Sequence, residues 1–301
     1  MLSVFKRSRL TRFPCLKRRP GEGTAAMGES EETDGSNVKP FRRGVEAAAW
    51  GAPIGMLGGL IGLGGGEFRI PILMRRFGLA PRAVVPVNAT ISMFTLASSL
   101  AFRGATLSWD ALPGHAFDIA MLALGGVLAA LFVADLVKRI SSHALHNAIV
   151  WLLVALGLLL IAEGVFVELR PLALPDALAA RALIGVGLGL AIGAVATMLG
   201  VAGGELLIPT LLLVYGLDIK TAGTASLVIS LAVVATGLIK FRLNGLTPER
   251  GAIVGLALPM AAGSVLGAFI GAQLAAHTDQ NALKIGLGVV LLAAAWVSSR
   301  R

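Results

Sequence analysis

Two short stretches of this chain place glycine, glutamate and proline in the same order within apolar surroundings. They are GLGGGEFRIP at residues 62–71 and GVAGGELLIP at residues 200–209. Their glycine clusters are Gly64, Gly65 and Gly66 in the first and Gly203 and Gly204 in the second. Each cluster interrupts an apolar helix, and the N–H groups at the start of the next short helix form a positive dipole end suited to a small anion. We therefore predict an anion-binding site at these glycines, with close helix packing as the alternative use.

Charged side chains follow both clusters. Glu67 and Glu205 come directly after the glycines, in the first turn of each short helix. A carboxylate at the bilayer centre costs about 2.5–3.5 kcal/mol on insertion scales, so its repetition indicates an aqueous cavity or a paired partner. The two glutamates either cap the helix dipole or couple a proton to the substrate. Arg69, whose counterpart is Leu207, either binds an oxyanion through two donors or neutralises a glutamate.

Polar residues also occur near the start of the next apolar stretch in each half. They are Asn88 and Thr90 in the first half, and Thr224 and Ser226 in the second. We expect them to complete a polar substrate cavity, although helix capping and interhelical hydrogen bonding are commoner roles for such residues. The sequence contains no recognisable metal, nucleotide or hydrolase motif, so we predict no cofactor, no metal and no catalytic residue, and we do not expect an enzyme.

The composition is that of a membrane protein. Hydrophobic residues make up 56% and charged residues 14% of the 301 positions, and the mean hydropathy is +0.82. A net charge of +9 would suggest a nucleic-acid partner for a soluble protein, but much of the excess lies in residues 1–43 and at Arg300 and Arg301. We therefore expect the lipid bilayer as partner and no nucleic acid. Residues 1–43 are predicted to be a disordered basic tail, unless translation begins at Met27.

Eight apolar stretches are long enough to cross a bilayer of roughly 30 Å. They lie at about 44–64, 83–102, 116–137, 145–167, 179–200, 221–239, 251–276 and 282–297, and two shorter pieces at about 67–74 and 205–214 follow the glycine clusters. Asp118 stands near a predicted span end, where a charged head can reach the interface.

The two glycine motifs belong to an internal repeat with an offset of 138 residues, which also takes Gly78 to Gly216 and Asn88 to Ser226. We divide the body into halves at 44–170 and 171–301. If each short piece returns to the side from which its preceding helix entered, most basic loop residues fall on the cytoplasmic side together with both termini. The predicted fold is an all-α polytopic membrane protein of two inverted repeats, each a glycine-broken re-entrant helical hairpin plus three membrane spans. A rival topology treats the short pieces as full crossings.

The repeated motifs, followed by AVVPVNATIS at 83–92 and TAGTASLVIS at 221–230, resemble those of the sulfite exporter TauE/SafE family over roughly residues 44–297. The resemblance implies inverted halves, glycine-interrupted helices and small sulfur oxyanions or sulfonates as substrates. By position it places the glycine clusters and the polar residues at 88–90 and 224–226 around the substrate. Two departures are Asn88, where many members carry a Thr-Ser pair, and glutamate directly after the glycines. They indicate a distinct branch whose substrate can differ from sulfite.

The leading hypothesis is a secondary transporter in the cytoplasmic membrane that exports sulfite or a related sulfur oxyanion or organosulfonate by alternating access. A proton-coupled anion importer and a non-transporting membrane scaffold are the alternatives. The sequence leaves the oligomeric state open, a homo-oligomer included.

Overall fold

The computed structural model describes residues 40–107, 112–136 and 177–299, together with separate positions between 151 and 175. Throughout this part of the chain the regular structure is helical, and it contains no strand. The predicted tail falls outside the described residues up to position 39, as does most of the predicted span at 145–167.

Nine helices longer than one turn occur in the described ranges. They are α1 (Pro40–Ile61), α2 (Gly66–Arg75), α3 (Pro81–Thr106), α4 (Ala116–Leu136), α5 (Leu178–Leu199), α6 (Gly204–Leu213), α7 (Ile219–Leu243), α8 (Leu258–His277) and α9 (Gln280–Ser299). A 3₁₀ turn at Pro113–His115 precedes α4, and a π-helical turn at Ile253–Ala257 leads into α8.

In the part of the chain that the structure describes, six helical stretches are long and apolar enough to cross a membrane. They are Arg42–Ile61, Ala83–Thr106, Pro113–Phe132, Leu178–Met198, Ile219–Leu243 and Arg250–His277. Helices α2 and α6 are only ten residues long, and a ten-residue helix reaches about 15 Å, half of a bilayer core. The chain is therefore a multi-pass membrane protein in which two helices are too short to cross.

The helix boundaries recur at the offset of 138 found in the sequence. It carries the bounds of α1 onto those of α5, the bounds of α2 onto those of α6, and the start of α3 onto the start of α7. Glycines with positive φ recur in the same way, as Gly65 and Gly203 do at 65° and 75°. The repeat in the sequence is thus also a repeat of local structure.

Helices of one half pack on helices of the other through glycine. A Cβ placed on Gly263 of α8 would lie 2.0 Å from the carbonyl oxygen of Ala48 in α1, and one placed on Gly125 of α4 would lie 2.2 Å from that of Val186 in α5. These two contacts are related by the same offset. Because no side chain fits at such distances, glycine is what allows α1 to contact α8 and α4 to contact α5 so closely.

The end of α2 returns to the start of α1. Arg76, just after α2, forms an ion pair with Glu46 in α1, and Arg43 Nη2 donates to the Phe77 carbonyl oxygen at 2.7 Å. The hydrogen bond and the charge of Glu46 raise the pKa of the exposed Arg76. These contacts join the end of α2 to the start of α1.

Candidate functional site

The two glycine interruptions lie against each other at the centre of the described bundle. We call residues 62–65 and 200–203 the break segments. A Cβ on Gly66 would lie 3.2 Å from the Val201 Cα, and one on Gly204 would lie 3.3 Å from the Leu63 Cα. Both break segments are buried along their whole length. The two glycine clusters are therefore neighbours in the folded chain.

Each break segment ends at a glycine that begins a short helix. Gly65 and Gly203 are the N-caps of α2 and α6, and both have the left-handed conformation that favours glycine. The first N–H groups of a helix have no acceptor within that helix, so the fold brings two positive dipole ends close together inside the bundle. Such an arrangement favours a small anion between the helix starts.

One side chain from each half bonds the break segment of the other half. Asn88 Nδ2 donates to the Gly200 carbonyl oxygen at 2.8 Å, and Ser226 Oγ donates to the Gly62 carbonyl oxygen at 3.4 Å. Both donor positions and both acceptor positions are separated by 138 residues. Asn88 and Ser226 therefore form corresponding bonds, each from its own half to the break segment of the other half. These bonds provide hydrogen-bond donors to unwound backbone carbonyls that would otherwise need water.

Arg69 is fully buried and holds the first break segment to α3. Its Nη2 donates to the Gly64 carbonyl oxygen at 2.5 Å and to Ser92 Oγ at 2.7 Å, its Nη1 to Thr95 Oγ1 at 2.8 Å, and its Nε to Asn88 Oδ1 at 3.2 Å. Four of the five guanidinium N–H groups are accounted for by these bonds. An anion that binds Arg69 through two donors would have to replace some of these acceptors.

In the second break segment, a serine rather than an arginine donates to the corresponding backbone carbonyl oxygen. Ser230 Oγ donates to the Ala202 carbonyl oxygen at 2.8 Å, and these residues are the counterparts of Ser92 and Gly64. Ser92, Thr95 and Ser230 were not selected from the sequence. Their signal is the helical spacing 88, 92, 95 on one face of α3 together with the recurrence of serine at 230.

Two candidates from the sequence lie outside this cluster. Thr90 Oγ1 donates to the Pro86 carbonyl oxygen of its own helix at 2.8 Å. Thr224 Oγ1 bonds the Lys220 carbonyl oxygen at 3.1 Å and accepts from Arg103 Nε at 3.2 Å. Thr90 therefore bonds the backbone of its own helix, which is neither capping nor an interhelical bond, and Thr224 belongs to a separate arginine cluster.

Arg103 is the centre of that second cluster, and it lies one residue beyond the predicted apolar stretch at 83–102. It lies inside α3 with no exposed surface. Its guanidinium donates to the carbonyl oxygens of Gly59 and Leu60, both at 2.9 Å, and of Lys220 at 2.7 Å. Arg103 therefore lies within the helix rather than in the loop after it, and its guanidinium joins the end of α1 to the start of α7.

The structure describes the side chain of only one of the two glutamates. Glu205 is 4% exposed in the first turn of α6, directly after the second break segment. The side chain of Glu67 lies outside the described residues. The buried position of Glu205 fits both uses considered for it, dipole capping and proton coupling.

The surroundings of the second break segment are closely packed. Two cavities of about 10 Å³ each touch it, lined in part by Gly200, Val201 and Ala202. Each is at the lower limit of the space that one water molecule needs. Within the described ranges, no group of three or more His, Cys, Asp or Glu side chains is placed to hold a metal ion.

Asp118 also differs from its sequence-based interpretation. Its side chain is completely buried rather than reaching an interface, and it forms a two-donor ion pair with Arg181 of α5. Tyr215 lies near this pair, and burial raises the pKa of its phenol to about 12. The sequence does not indicate this pairing, because the partner stands 63 residues away in the chain, beyond the reach of local hydropathy.

Comparison with known proteins gives one match. The family model described as Sulfite exporter TauE/SafE matches residues 3–160 and, overlapping them, residues 47–298. No curated protein matches the chain, and no solved structure does.

Proposed function

Because the chain belongs to the sulfite exporter TauE/SafE family, we propose that it is a secondary transporter of a small sulfur oxyanion or organosulfonate. One observation supports this proposal above all. Two helix N-termini lie against each other at the glycine breaks, inside a bundle of apolar spans. Helix starts of this kind recognise the negative charge of a substrate without a dedicated cationic side chain.

The substrate site of the proposal is formed by the glycine clusters and the first turns of α2 and α6. Gly66 and Gly204 are the first residues of these helices, so their N–H groups and those that follow point toward the helix starts. Asn88 and Ser226 fix the break segments and thereby orient these donors. The polar groups of this site are backbone N–H donors, which suit a compact anion with several equivalent oxygens.

We further propose that the two halves have inverted orientations and that each short helix completes a re-entrant hairpin. Reciprocal contacts such as Gly263 with Ala48 and Gly125 with Val186 are typical of a two-fold relation. The ion pair between Glu46 and Arg76 supports the return of α2 to its starting side. The excess of basic loop residues on one side supports cytoplasmic termini and a cytoplasmic-membrane location.

Export is the direction that we propose. A negative cell interior favours the exit of an anion by about 2.3 kcal/mol per charge per 100 mV. An imposed membrane potential of known sign in proteoliposomes distinguishes electrogenic anion movement from electroneutral exchange with protons.

A counterflow screen tests the substrate class. Purified protein in liposomes loaded with sulfite, thiosulfate, sulfate, sulfoacetate or a small carboxylate should exchange at least one sulfur anion faster than the carboxylate. Gly204→Leu should abolish that exchange, because the side chain would enter the space beside Leu63. Gly187→Leu is the matched control, since a Cβ there meets no atom within 4 Å. Equal flux in both variants, with both folded, would contradict a glycine site.

Glu205 provides the test of proton coupling. If this carboxylate carries a proton with the substrate, Glu205→Gln should flatten the pH dependence of flux. If it caps the helix dipole, the variant should lose stability while the pH profile keeps its form. Its burial beside the second break segment supports the choice of this residue for the experiment.

A further inference from the structure

An open cavity of about 660 Å³, which we call the vestibule, lies at one end of the helix bundle. Its walls are the start of α1, the connection from α2 to α3 with the first turns of α3, and the connection from α7 to α8. Arg43, Phe77, Leu79 and Leu256 stand in these walls. Each has a counterpart 138 residues away, so the same positions can be compared at the other end.

Among the described residues, the counterparts at the other end are joined by an ion pair, and we call this the closed end. They are Arg181, Tyr215, Leu217 and Asp118. Leu217 is only 4% exposed whereas Leu79 is half-buried, and Tyr215 and Phe77 are buried alike. Arg181 Nε donates to Asp118 Oδ1 at 3.2 Å, and Arg181 Nη2 pairs with Oδ2. This bridge ties the start of α5 to the start of α4.

Among the described residues, the vestibule end differs at the position that holds the carboxylate of this bridge. Leu256 occupies the position that corresponds to Asp118, so Arg43 has no carboxylate opposite it at that position. Arg43 donates instead to the Phe77 carbonyl oxygen. The exchange of aspartate for leucine therefore accompanies the difference between a closed end and an open one.

Among the described residues, a second tie lies at the closed end and has no equivalent at the vestibule. Arg103 joins the end of α1 to the start of α7 through Gly59, Lys220 and Thr224. Its counterpart in the second half is Phe241, which offers no hydrogen-bond donor on its side chain. Both charged ties thus stabilise one end of a protein whose helices otherwise repeat.

We propose that the Asp118–Arg181 bridge is a gate that keeps this end closed while the vestibule admits the anion at the other end. The inference rests on the proposed transport function, in which a protein with two related halves exposes one site alternately at two ends. The bridge stabilises only the state in which its own end is closed. Its loss therefore shifts the population towards the state in which that end is open. Asp118 and Arg181 are positioning residues, since they set which end is open.

Cysteine labelling measures the two ends separately. The chain has one cysteine, Cys15, which is replaced by serine. Leu79→Cys and Leu217→Cys, at corresponding positions, are then labelled with a water-soluble maleimide in purified protein. We expect rapid labelling at 79 and slow labelling at 217. Adding Asp118→Asn should raise the rate at 217 by roughly tenfold or more and lower the rate at 79, as a shifted two-state equilibrium requires.

Two further variants make the result specific. Glu46→Gln removes the exposed ion pair with Arg76 at the vestibule end, so it should leave the rate at 217 unchanged. The double exchange Asp118→Arg with Arg181→Asp rebuilds the bridge in reverse and should restore slow labelling, which a general loosening of the protein would not do. If Asp118→Asn does not fold, Arg181→Lys keeps the charge but loses the two-donor geometry and should give an intermediate rate.

An unchanged rate at 217 in folded Asp118→Asn protein would overturn the gate. Labelling needs no substrate, so this result is independent of the counterflow screen. Flux of a sulfur anion together with an unchanged rate at 217 removes the gate and leaves the transporter. Absence of flux for every anion in the screen removes the proposed function, on which the gate depends.

Discussion

Arg69 stabilises the first break segment by donating to one backbone carbonyl and three side chains of α3. We expect Arg69→Lys to lower the free energy of unfolding by roughly 3 kcal/mol, because an ammonium cannot reach all four acceptors and leaves buried groups without a donor. Thermal unfolding of the purified protein measures the loss. Arg75→Lys, at an exposed position in the same helix, is the control. Equal stability of the two variants would show that the Arg69 bonds contribute little.

Asn88 and Ser226 allow a comparison of the two halves at corresponding atoms. The Asn88 bond is 2.8 Å long and the Ser226 bond 3.4 Å, and Asn88 also accepts from Arg69. Asn88→Ala should therefore cost about 1–3 kcal/mol and Ser226→Ala less. Denaturation of both variants beside the parent protein gives the order. The reverse order would mean that the two breaks are not fastened as their geometry indicates.

The sequence predicted part of this chemistry. The offset of 138 identified Asn88 and Ser226 as equivalent, and these residues do bond the two break segments. It did not identify Arg103, because an arginine near the end of an apolar stretch has the same local pattern in a loop as in a buried helix. The difference depends on backbone carbonyls of α1 and α7, which are distant in the chain.

At the scale of helices, glycine sets the distance between α4 and α5. A Cβ on Gly189 would lie 2.2 Å from the Leu122 carbonyl oxygen, whereas a Cβ on Gly187, two residues earlier, meets no atom within 4 Å. We expect Gly189→Ala to destabilise the protein by about 1–3 kcal/mol through overpacking. Gly187→Ala should leave stability unchanged or raise it by up to about 1 kcal/mol, since alanine is the better helix former.

Thermal melts of these two variants provide the measurement. The substitution is chemically identical and the helix is the same, so helix propensity cancels in the comparison. A Gly189→Ala variant as stable as Gly187→Ala would mean that α4 and α5 separate at little cost.

The sequence predicts where the helices lie along the chain, but it does not predict which helices pack against each other. Predicted stretches at 44–64, 83–102 and 221–239 correspond to α1, α3 and α7, whose apolar length is a local property. The pairing of α1 with α8 depends on glycines of both helices that approach the opposite backbone. Glycine occurs throughout such a chain for several reasons, so composition alone does not reveal which of them face a neighbour.

At the scale of the whole molecule, inversion of the halves is a prediction about sides of the membrane. In protein without Cys15, Ala80→Cys at the start of α3 should react with an impermeant maleimide from the cytoplasmic side only. Leu178→Cys at the start of α5 should react from the outside only, because an odd number of crossings separates them in the proposed topology. Labelling of right-side-out and inverted vesicles makes the distinction. Reaction of both positions from the same side would contradict the inverted arrangement.

The packing of α1 against α8 joins two helices that the ribosome makes at well-separated times. A ribosome that has finished α1 must add about 200 further residues before α8 exists, which takes roughly 10–40 s at about 5–20 residues per second. During that interval the glycine face of α1 has neither its partner helix nor a side chain to cover its backbone. A chain truncated before α8 would keep that face uncovered. The newly made first half therefore passes this interval without the helix that covers the glycine face of α1 in the finished fold.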